Sequence, residues 1–190
     1  MKLNLGCGNH VIDDYINVDI RKTHADVVVS DLSIFPWKCD DNSADEILML
    51  DFLEHFSYNL TNKILLECYR ILKKDCCVII QVPDGQQLCN VLSSCSQEKF
   101  YCNRCGYLMN KEEFKCQSCN QLVYQIQSSA IKRMYGGQDY AGNFHNNLFT
   151  KQILTSNLIT CGFSNIEFLE EEHQAKNWNF MIKASKDDLW

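Results

Sequence analysis

The chain has 190 residues, of which 46% are hydrophobic and 22% charged, and its formal net charge is −6. This length and composition can bury one sizeable core and predict a single domain. The acidic balance argues against a surface that tracks nucleic-acid phosphates, and no apolar run reaches the roughly 18 residues of a membrane span. Because Met1 and Lys2 lead directly into a predicted strand, no secretory signal fits, and we expect a cytoplasmic protein.

Short apolar runs bounded by turn residues predict seven strands, at 3–7, 16–19, 27–29, 47–50, 78–82, 165–169 and 178–184. Apolar residues at helical spacing predict two helices, at 61–74 and 150–161. Lysines close the first helix, while Thr150 and Gly162 suit the N-cap of the second and the residue after its end. Strands that alternate with helices predict an α/β, Rossmann-like, mostly parallel sheet with flanking helices.

A glycine turn and an acidic residue lie at the ends of the first two strands. The first strand runs into Gly6-Cys7-Gly8, where a side chain at either glycine would block the approach of a ligand to the backbone. Asp19 ends the second strand, and its carboxylate can accept hydrogen bonds from two ribose hydroxyls. Together they predict half of an adenosine-binding crevice, although a Gly-x-Gly sequence alone also fits a simple tight turn.

Two Cys-x-x-Cys pairs lie in the middle of the chain, separated by ten residues: Cys102 with Cys105, and Cys116 with Cys119. Each pair can supply two thiolates, and the two pairs complete a tetrahedral zinc site. Four thiolates leave no open position for catalysis, so we expect a structural zinc ion. The alternative is a set of redox dithiols or disulfides, but the surrounding sequence lacks a thioredoxin-like context. The other cysteines are expected to be free thiols in a reducing compartment.

Eight short segments follow one another in the first half of the chain: LNLGCG at 3–8, INVD at 16–19, DL at 31–32, FPW at 35–37, DNSADEI at 41–47, LEHF at 53–56, ECYRILKK at 67–74 and VIIQVPD at 78–84. In this order, and with the stretch 149–163, they resemble the class I S-adenosylmethionine (SAM)-dependent methyltransferases, especially small members with a short first crossover. The resemblance covers about residues 3–83 and 145–184.

Three departures from this family's pattern are visible. Asn4 stands where an acidic residue is common. Only ten residues separate Gly8 from Asp19, too few for a complete first helix, and the usual third glycine is missing from this crossover. The usual proline–glycine turn before the fifth strand is replaced by Lys73 to Cys77. The missing glycine and helix also count against a nicotinamide-dependent dehydrogenase, whose fingerprint requires both.

The resemblance implies a SAM site at the carboxyl ends of the first four strands. The methionine part would lie against Gly6 to Gly8, the ribose at Asp19, the adenine near Asp31, and the sulfonium near Asp51. The complete set of implied cofactor-binding residues is Gly6, Cys7, Gly8, Asp19, Ile20, Asp31, Leu32, Leu50 and Asp51. A general base is needed only if the acceptor keeps its proton. His55 and Asp84 are the candidates for that role, ahead of Tyr140 and His145; a structural hydrogen bond is the alternative for each.

The sequence is therefore interpreted as one methyltransferase domain at 1–190, with an inserted substrate cap at 84–147 that contains a zinc ribbon at 100–121. We expect a SAM-dependent methyltransferase that acts on a small-molecule, sugar or peptide-like acceptor. No Asn/Asp-Pro-Pro motif follows the fourth strand, which disfavours a base-amino acceptor, and the acidity disfavours nucleic acid. Two alternatives stay open: an inactive methyltransferase-like module that docks a protein partner through the ribbon, and an RNA methyltransferase.

Overall fold

The structure is a computed structural model and describes residues 1–93, 100–101, 108–109, 118, 124–169 and 178–187. The elements in chain order are β1 (Lys2–Leu5), β2 (Ile16–Asp19), β3 (Val27–Val29), β4 (Ala44–Leu50), a 3₁₀ turn (Leu53–His55), α1 (Tyr58–Ile71), β5 (Leu72–Pro83), α2 (Gly85–Ser93), β6 (Phe100–Tyr101), β7 (Leu108–Met109), β8 (Tyr124–Gln125), α3 (Ile126–Tyr135), α4 (Lys151–Thr160), β9 (Ser164–Leu169) and β10 (Asn179–Ser185).

Seven of these strands form one sheet in the order β3-β2-β1-β4-β5-β10-β9. Strands β1 to β5 are parallel, whereas β10 pairs antiparallel with both β5 and β9. Fewer than a dozen residues separate β9 from β10, too few for the crossover that a parallel pair requires. The predicted α/β fold with a mostly parallel sheet is confirmed. Strands β7, β6 and β8 form a separate small sheet.

The core lies between this sheet and the helices that cover it. Strands β1, β4, β5 and β10 each bury several apolar side chains, and α1 and α4 add theirs; the largest include Leu5, Ile47, Met49, Ile64, Leu65, Ile71, Ile80 and Phe180. The burial of α1 follows the apolar spacing read from the sequence. None of the helices within the described ranges has the length and apolar character needed to cross a bilayer.

The helix predicted at 61–74 begins and ends earlier, at Tyr58–Ile71. Leu72 already has extended backbone angles (φ −65°, ψ 139°) and pairs with Ala44 of β4. The lysines predicted to close the helix therefore lie in β5, which runs from Leu72 to Pro83 rather than over 78–82. The helix prediction was wrong at this end because pairing with β4 outweighs local helical spacing.

The predicted ends of α4 are confirmed. The Thr150 side chain accepts a hydrogen bond from the Ile153 amide (3.2 Å), as an N-cap does, and Gly162 follows the helix with φ +95°. The first strand ends at Leu5 rather than at residue 7, because Gly6 turns the chain with φ +67°. The four cysteines predicted to bind zinc, Cys102, Cys105, Cys116 and Cys119, lie outside the described residues.

Candidate active site

A cavity of about 910 Å³ lies at the carboxyl ends of β1, β2, β3 and β4. Such a volume is within the usual range of small-ligand sites. All nine residues predicted to hold the cofactor line this cavity, and so does His55. The parallel strands bring them together because their carboxyl ends meet at one edge of the sheet.

The glycine turn forms one wall of the cavity. The amides of Gly6 and Cys7 both donate to the Val18 carbonyl (2.8 and 3.1 Å), which fixes the turn against β2. A Cβ at Gly6 would stand 2.0 Å from Cδ2 of Phe52, so the close approach of this ring requires glycine. A Cβ at Gly8 would meet no protein atom within 4 Å, and Gly8 lines the cavity. The turn can therefore bring its backbone close to a ligand.

Asp19 is held beside this turn by two backbone donors. Its Oδ2 accepts from the Gly8 amide and its Oδ1 from the Arg21 amide, both at 2.8 Å. The Arg21 side chain is also close, with Nε 3.8 Å from Oδ1. A carboxylate has about four acceptor positions, so capacity for two ligand hydroxyls is left on oxygens whose direction is already fixed.

Two buried asparagines stabilise the connection between β1 and β2, where the first helix is missing. Asn4 donates from Nδ2 to the Asn17 side chain and to the His10 carbonyl (both 2.8 Å). Asn17 in turn accepts from the Ile12 amide and donates to the carbonyls of Ile12 and Tyr15 (all 3.0 Å). These bonds satisfy the backbone of a connection too short for a helix. The departure at Asn4 is therefore a structural adaptation to the short crossover.

The residues after β3 and β4 form the next part of the lining. Hydrogen bonds from the hydroxyl and the amide of Ser33 lower the pKa of Asp31, which keeps its carboxylate charged. Asp51 has a positive φ of 50°, and its Oδ1 accepts from Asn179 (2.7 Å) and Gln81 (3.4 Å). A fixed carboxylate thus lies at the end of β4, where the sequence predicted the sulfonium.

Helix α3 and the loop after it complete the lining. They contribute Ser128, Ser129, Lys132, Arg133, Gly136, Gly137, Tyr140, Gly142, Asn143 and His145. The guanidinium of Arg21 stacks on the Tyr140 ring at 3.9 Å and so joins this loop to the segment that follows β2. The sequence placed α3 and its glycine loop within a cap but did not single out Lys132 and Arg133. The sequence signal that could have identified these two residues is a pair of adjacent basic side chains in the last turn of a short helix.

The two candidate bases have different surroundings. His55 lines the cavity, and its Nδ1 lies 3.2 Å from the Phe144 carbonyl. Asp84 does not line the cavity. Its carboxylate accepts hydrogen bonds from the amides of Gln86 and Gln87 (3.0 and 3.2 Å) and caps α2. These bonds give Asp84 a capping role, and its role as a general base stays a prediction.

A group that the sequence did not single out lies behind His55. The Glu54 side chain is 1% exposed, and burial, followed by the Asp51 charge, raises its pKa well above the ordinary value. His145 Nε2 lies 4.0 Å from Glu54 Oε1. Burial, followed by the neighbouring His55, lowers the pKa of His145 to about 4. The rings of His55 and His145 meet edge to face at 4.9 Å.

Neither a protein-family model nor a curated protein matches the chain, but solved structures do. A SAM-dependent methyltransferase from Archaeoglobus fulgidus gives a TM-score of 0.58 at 15% identity, over 97% of this chain and 85% of that one. A SAM-dependent methyltransferase from Methanosarcina mazei gives 0.55 at 17% identity, over 98% and 92%. The 1,6-didemethyltoxoflavin-N1-methyltransferase of Burkholderia thailandensis, solved with bound S-adenosylhomocysteine, gives 0.51 at 14% identity, over 98% and 71%.

The chain has the fold of SAM-dependent methyltransferases. The fold resemblance read from the short sequence motifs is thereby confirmed. In this methyltransferase fold the cavity, the glycine turn and Asp19 occupy the edge of the sheet at which the sequence predicted the cofactor.

Proposed function

We propose that the protein is a SAM-dependent methyltransferase. The observation that carries this proposal is the Asp19 carboxylate, fixed beside a glycine turn in a cavity lined by all nine predicted cofactor residues. The residues fit the group in two ways: Asp19 has acceptor capacity for a diol, and the backbone at Gly8 is open to a ligand. SAM supplies an electrophilic methyl group on a sulfonium.

Each side of the cavity would then hold one part of the cofactor. Asp19 would accept hydrogen bonds from the ribose, while Ile20, Asp31 and Leu32 would surround the adenine. Gly6, Cys7 and Gly8 would contact the methionine portion through their backbone. Leu50 and Asp51 would face the sulfonium, whose positive charge the Asp51 carboxylate favours.

The chain's contribution to the reaction is chiefly positioning. An in-line displacement gains much of its acceleration from holding the two reacting atoms at the right distance and angle. His55 lines the cavity and is the residue that we propose as general base where the acceptor retains a proton. The cavity of about 910 Å³ supports an acceptor of small-molecule, sugar or peptide-like size beside the cofactor.

Calorimetric binding of S-adenosylhomocysteine tests the proposal. Substitution D19A removes the ribose acceptor and should weaken binding by about 1–3 kcal/mol, roughly 5- to 150-fold. Substitution D26A is the matched control, because it removes an exposed carboxylate that lies outside the cavity. Equal affinity of D19A and D26A, with both variants folded, would contradict the proposed site.

We also propose that Cys102, Cys105, Cys116 and Cys119 hold a structural zinc ion in a ribbon at 100–121, within a cap at 84–147. The spacing of the cysteines supports this, and a protein partner for the ribbon stays a prediction.

The seven cysteines in the described part of the chain are free, which supports a reducing, cytoplasmic location.

Metal analysis tests the zinc ribbon. Wild-type protein should contain about one more tightly held zinc per chain than C105S, because three thiolates no longer close the tetrahedron. The free thiol variant C89S is the matched control, since Cys89 is an exposed cysteine of α2. Zinc retained in C105S at the wild-type level would contradict the four-thiolate site.

A further inference from the structure

We propose that Glu54, His55 and His145 form a binding site for a divalent transition-metal ion at the cavity. The site is separate from the four cysteines, but it uses His55, which cannot act as the general base while its Nε2 binds an ion. Each of the three residues offers one ligand atom, and these atoms lie within 4.8 Å of one another.

The donor set suits such an ion. Two imidazoles and one carboxylate hold catalytic zinc and non-haem iron, and they leave coordination positions open for other ligands. Ligand atoms bound at about 2.1 Å stand about 3.4 Å apart in a tetrahedron, so the most distant donors need to approach by about 1.4 Å. The 4.0 Å between His145 Nε2 and Glu54 Oε1 is already close to that separation.

The buried carboxylate of this cluster lacks hydrogen-bond partners. Neither carboxylate oxygen of Glu54 accepts a hydrogen bond from the residues that the structure describes, although the side chain is 1% exposed. An unsatisfied buried polar group costs about 1–3 kcal/mol. A cation between this side chain and that of His145 would provide the missing interactions of the carboxylate.

Backbone hydrogen bonds hold the three residues in place. The amides of Asn146 and Asn147 both donate to the Glu54 carbonyl (2.8 and 3.1 Å), and the Asn146 side chain donates to the His55 carbonyl (2.8 Å). These bonds fasten the segment that follows His145 to the 3₁₀ turn. The cluster is therefore fixed by the backbone before any ligand binds, which lowers the entropic cost of binding.

Gly136 makes room for His145. A Cβ at residue 136 would stand 2.5 Å from the Asn143 carbonyl oxygen and 3.0 Å from Cδ2 of His145, and the residue has a φ of +81°. The His145 amide also donates to the Tyr135 carbonyl (3.1 Å). The end of α3 thus packs against the backbone of the histidine and leaves its ring beside Glu54.

The His55 ring is placed so that Nε2 can bind a metal ion. A neutral imidazole whose Nδ1 donates to a carbonyl keeps its lone pair on Nε2, and the Phe144 carbonyl lies 3.2 Å from Nδ1 of His55. Both histidines line the cavity, whereas Glu54 lies behind them. The three side chains would bind the ion from one side, and its remaining coordination positions would face the cavity.

This site can be tested by titrating the full chain with Co²⁺ after its four cysteines have been loaded with zinc. A saturable visible band at about one Co²⁺ per chain is expected, without the intense thiolate-to-cobalt charge-transfer absorption. E54Q and H145A should each weaken Co²⁺ binding at least about tenfold. H24A is the matched control, since His24 is an exposed histidine outside the cavity. Absence of a saturable band, a thiolate band, or wild-type affinity in both variants would overturn the proposal.

A second measurement needs no variant and covers the case in which E54Q or H145A fails to fold. Co²⁺ is paramagnetic, so it should shift or broaden the ring signals of His55 and His145 in the NMR spectrum of wild-type protein. The signals of His24, which is exposed and lies outside the cavity, should be perturbed much less at one equivalent. Stronger perturbation of His24 than of His55 and His145 would overturn the assignment, whatever the outcome for S-adenosylhomocysteine.

Discussion

Gly6 and Gly8 have similar backbone angles but different surroundings. Both residues have positive φ (67° and 53°), which costs an L-residue about 1–2 kcal/mol. Only at Gly6 would a side chain also collide with a neighbour, because Phe52 is buried there and packs edge to face on Phe56 at 4.8 Å. A comparison of substitutions at the two glycines therefore distinguishes the cost of backbone strain from the cost of a steric clash.

Substitution G6A should lower the free energy of unfolding by about 2–4 kcal/mol, since the methyl group must displace the Phe52 ring. G8A is the matched control and should cost only about 1–2 kcal/mol, the strain of positive φ. Urea unfolding measures both values. Equal losses in the two variants would show that Phe52 does not require glycine at residue 6.

At the level of single residues, the sequence identifies which residue types are present but not where their side chains point. The glycine turn and Asp19 could be predicted because their roles follow from the strand ends at which they lie. Asp84 also follows a strand, yet its side chain caps α2 instead of lining the cavity. Glu54 was not singled out, because nothing in the local pattern indicates that its carboxylate is buried beside a histidine 91 residues later in the chain.

Helix α2 begins directly after β5, and Asp84 is the residue that connects them. D84A removes the acceptor of the Gln86 and Gln87 amides and should lower the free energy of unfolding by about 0.5–2 kcal/mol. D84N keeps an acceptor oxygen and should retain most of that stability. Affinity for S-adenosylhomocysteine should be the same in both variants, because Asp84 does not line the cavity. A loss of affinity at unchanged stability would contradict the capping role.

Elements with a clear local period could be predicted from the sequence, and elements defined by distant contacts could not. Strands β2 and β3 and helix α4 were predicted to within one residue, since burial and capping leave a local signal. The start of β5 could not be placed, because it depends on the pairing of Leu72 with Ala44. The contribution of α3 to the cavity likewise depends on how the chain returns to the sheet.

At the scale of the whole molecule, a partly buried ion pair between Glu67 and Arg70 of α1 contacts the loop before β4. Glu67 accepts hydrogen bonds from the Trp37 amide (2.6 Å) and from Nη2 and Nε of Arg70 (2.6 and 3.1 Å). The bond to Arg70 is the largest of the influences that lower the pKa of Glu67 below its ordinary value of 4.5. The folded state therefore releases the proton of Glu67 more readily than the unfolded state.

This pair predicts an acid dependence of stability. A carboxyl group with a lowered folded-state pKa contributes fully above about pH 4.5, and the contribution is lost as pH falls through the folded-state value. E67Q should lower the free energy of unfolding at pH 7 by about 1–3 kcal/mol and flatten its decline below pH 4.5. E167Q, which removes an exposed carboxylate, is the control. Wild-type acid dependence in E67Q would contradict this assignment.

The central claim is that the edge of the sheet at Gly6, Asp19 and Leu50 is a site for SAM. A crystal structure of the protein with S-adenosylhomocysteine tests it most directly. We predict the ribose hydroxyls within hydrogen-bond distance of the Asp19 carboxylate, and the sulfur near the end of β4. Ligand density at another surface, or an empty cavity in crystals grown with saturating ligand, would contradict the claim.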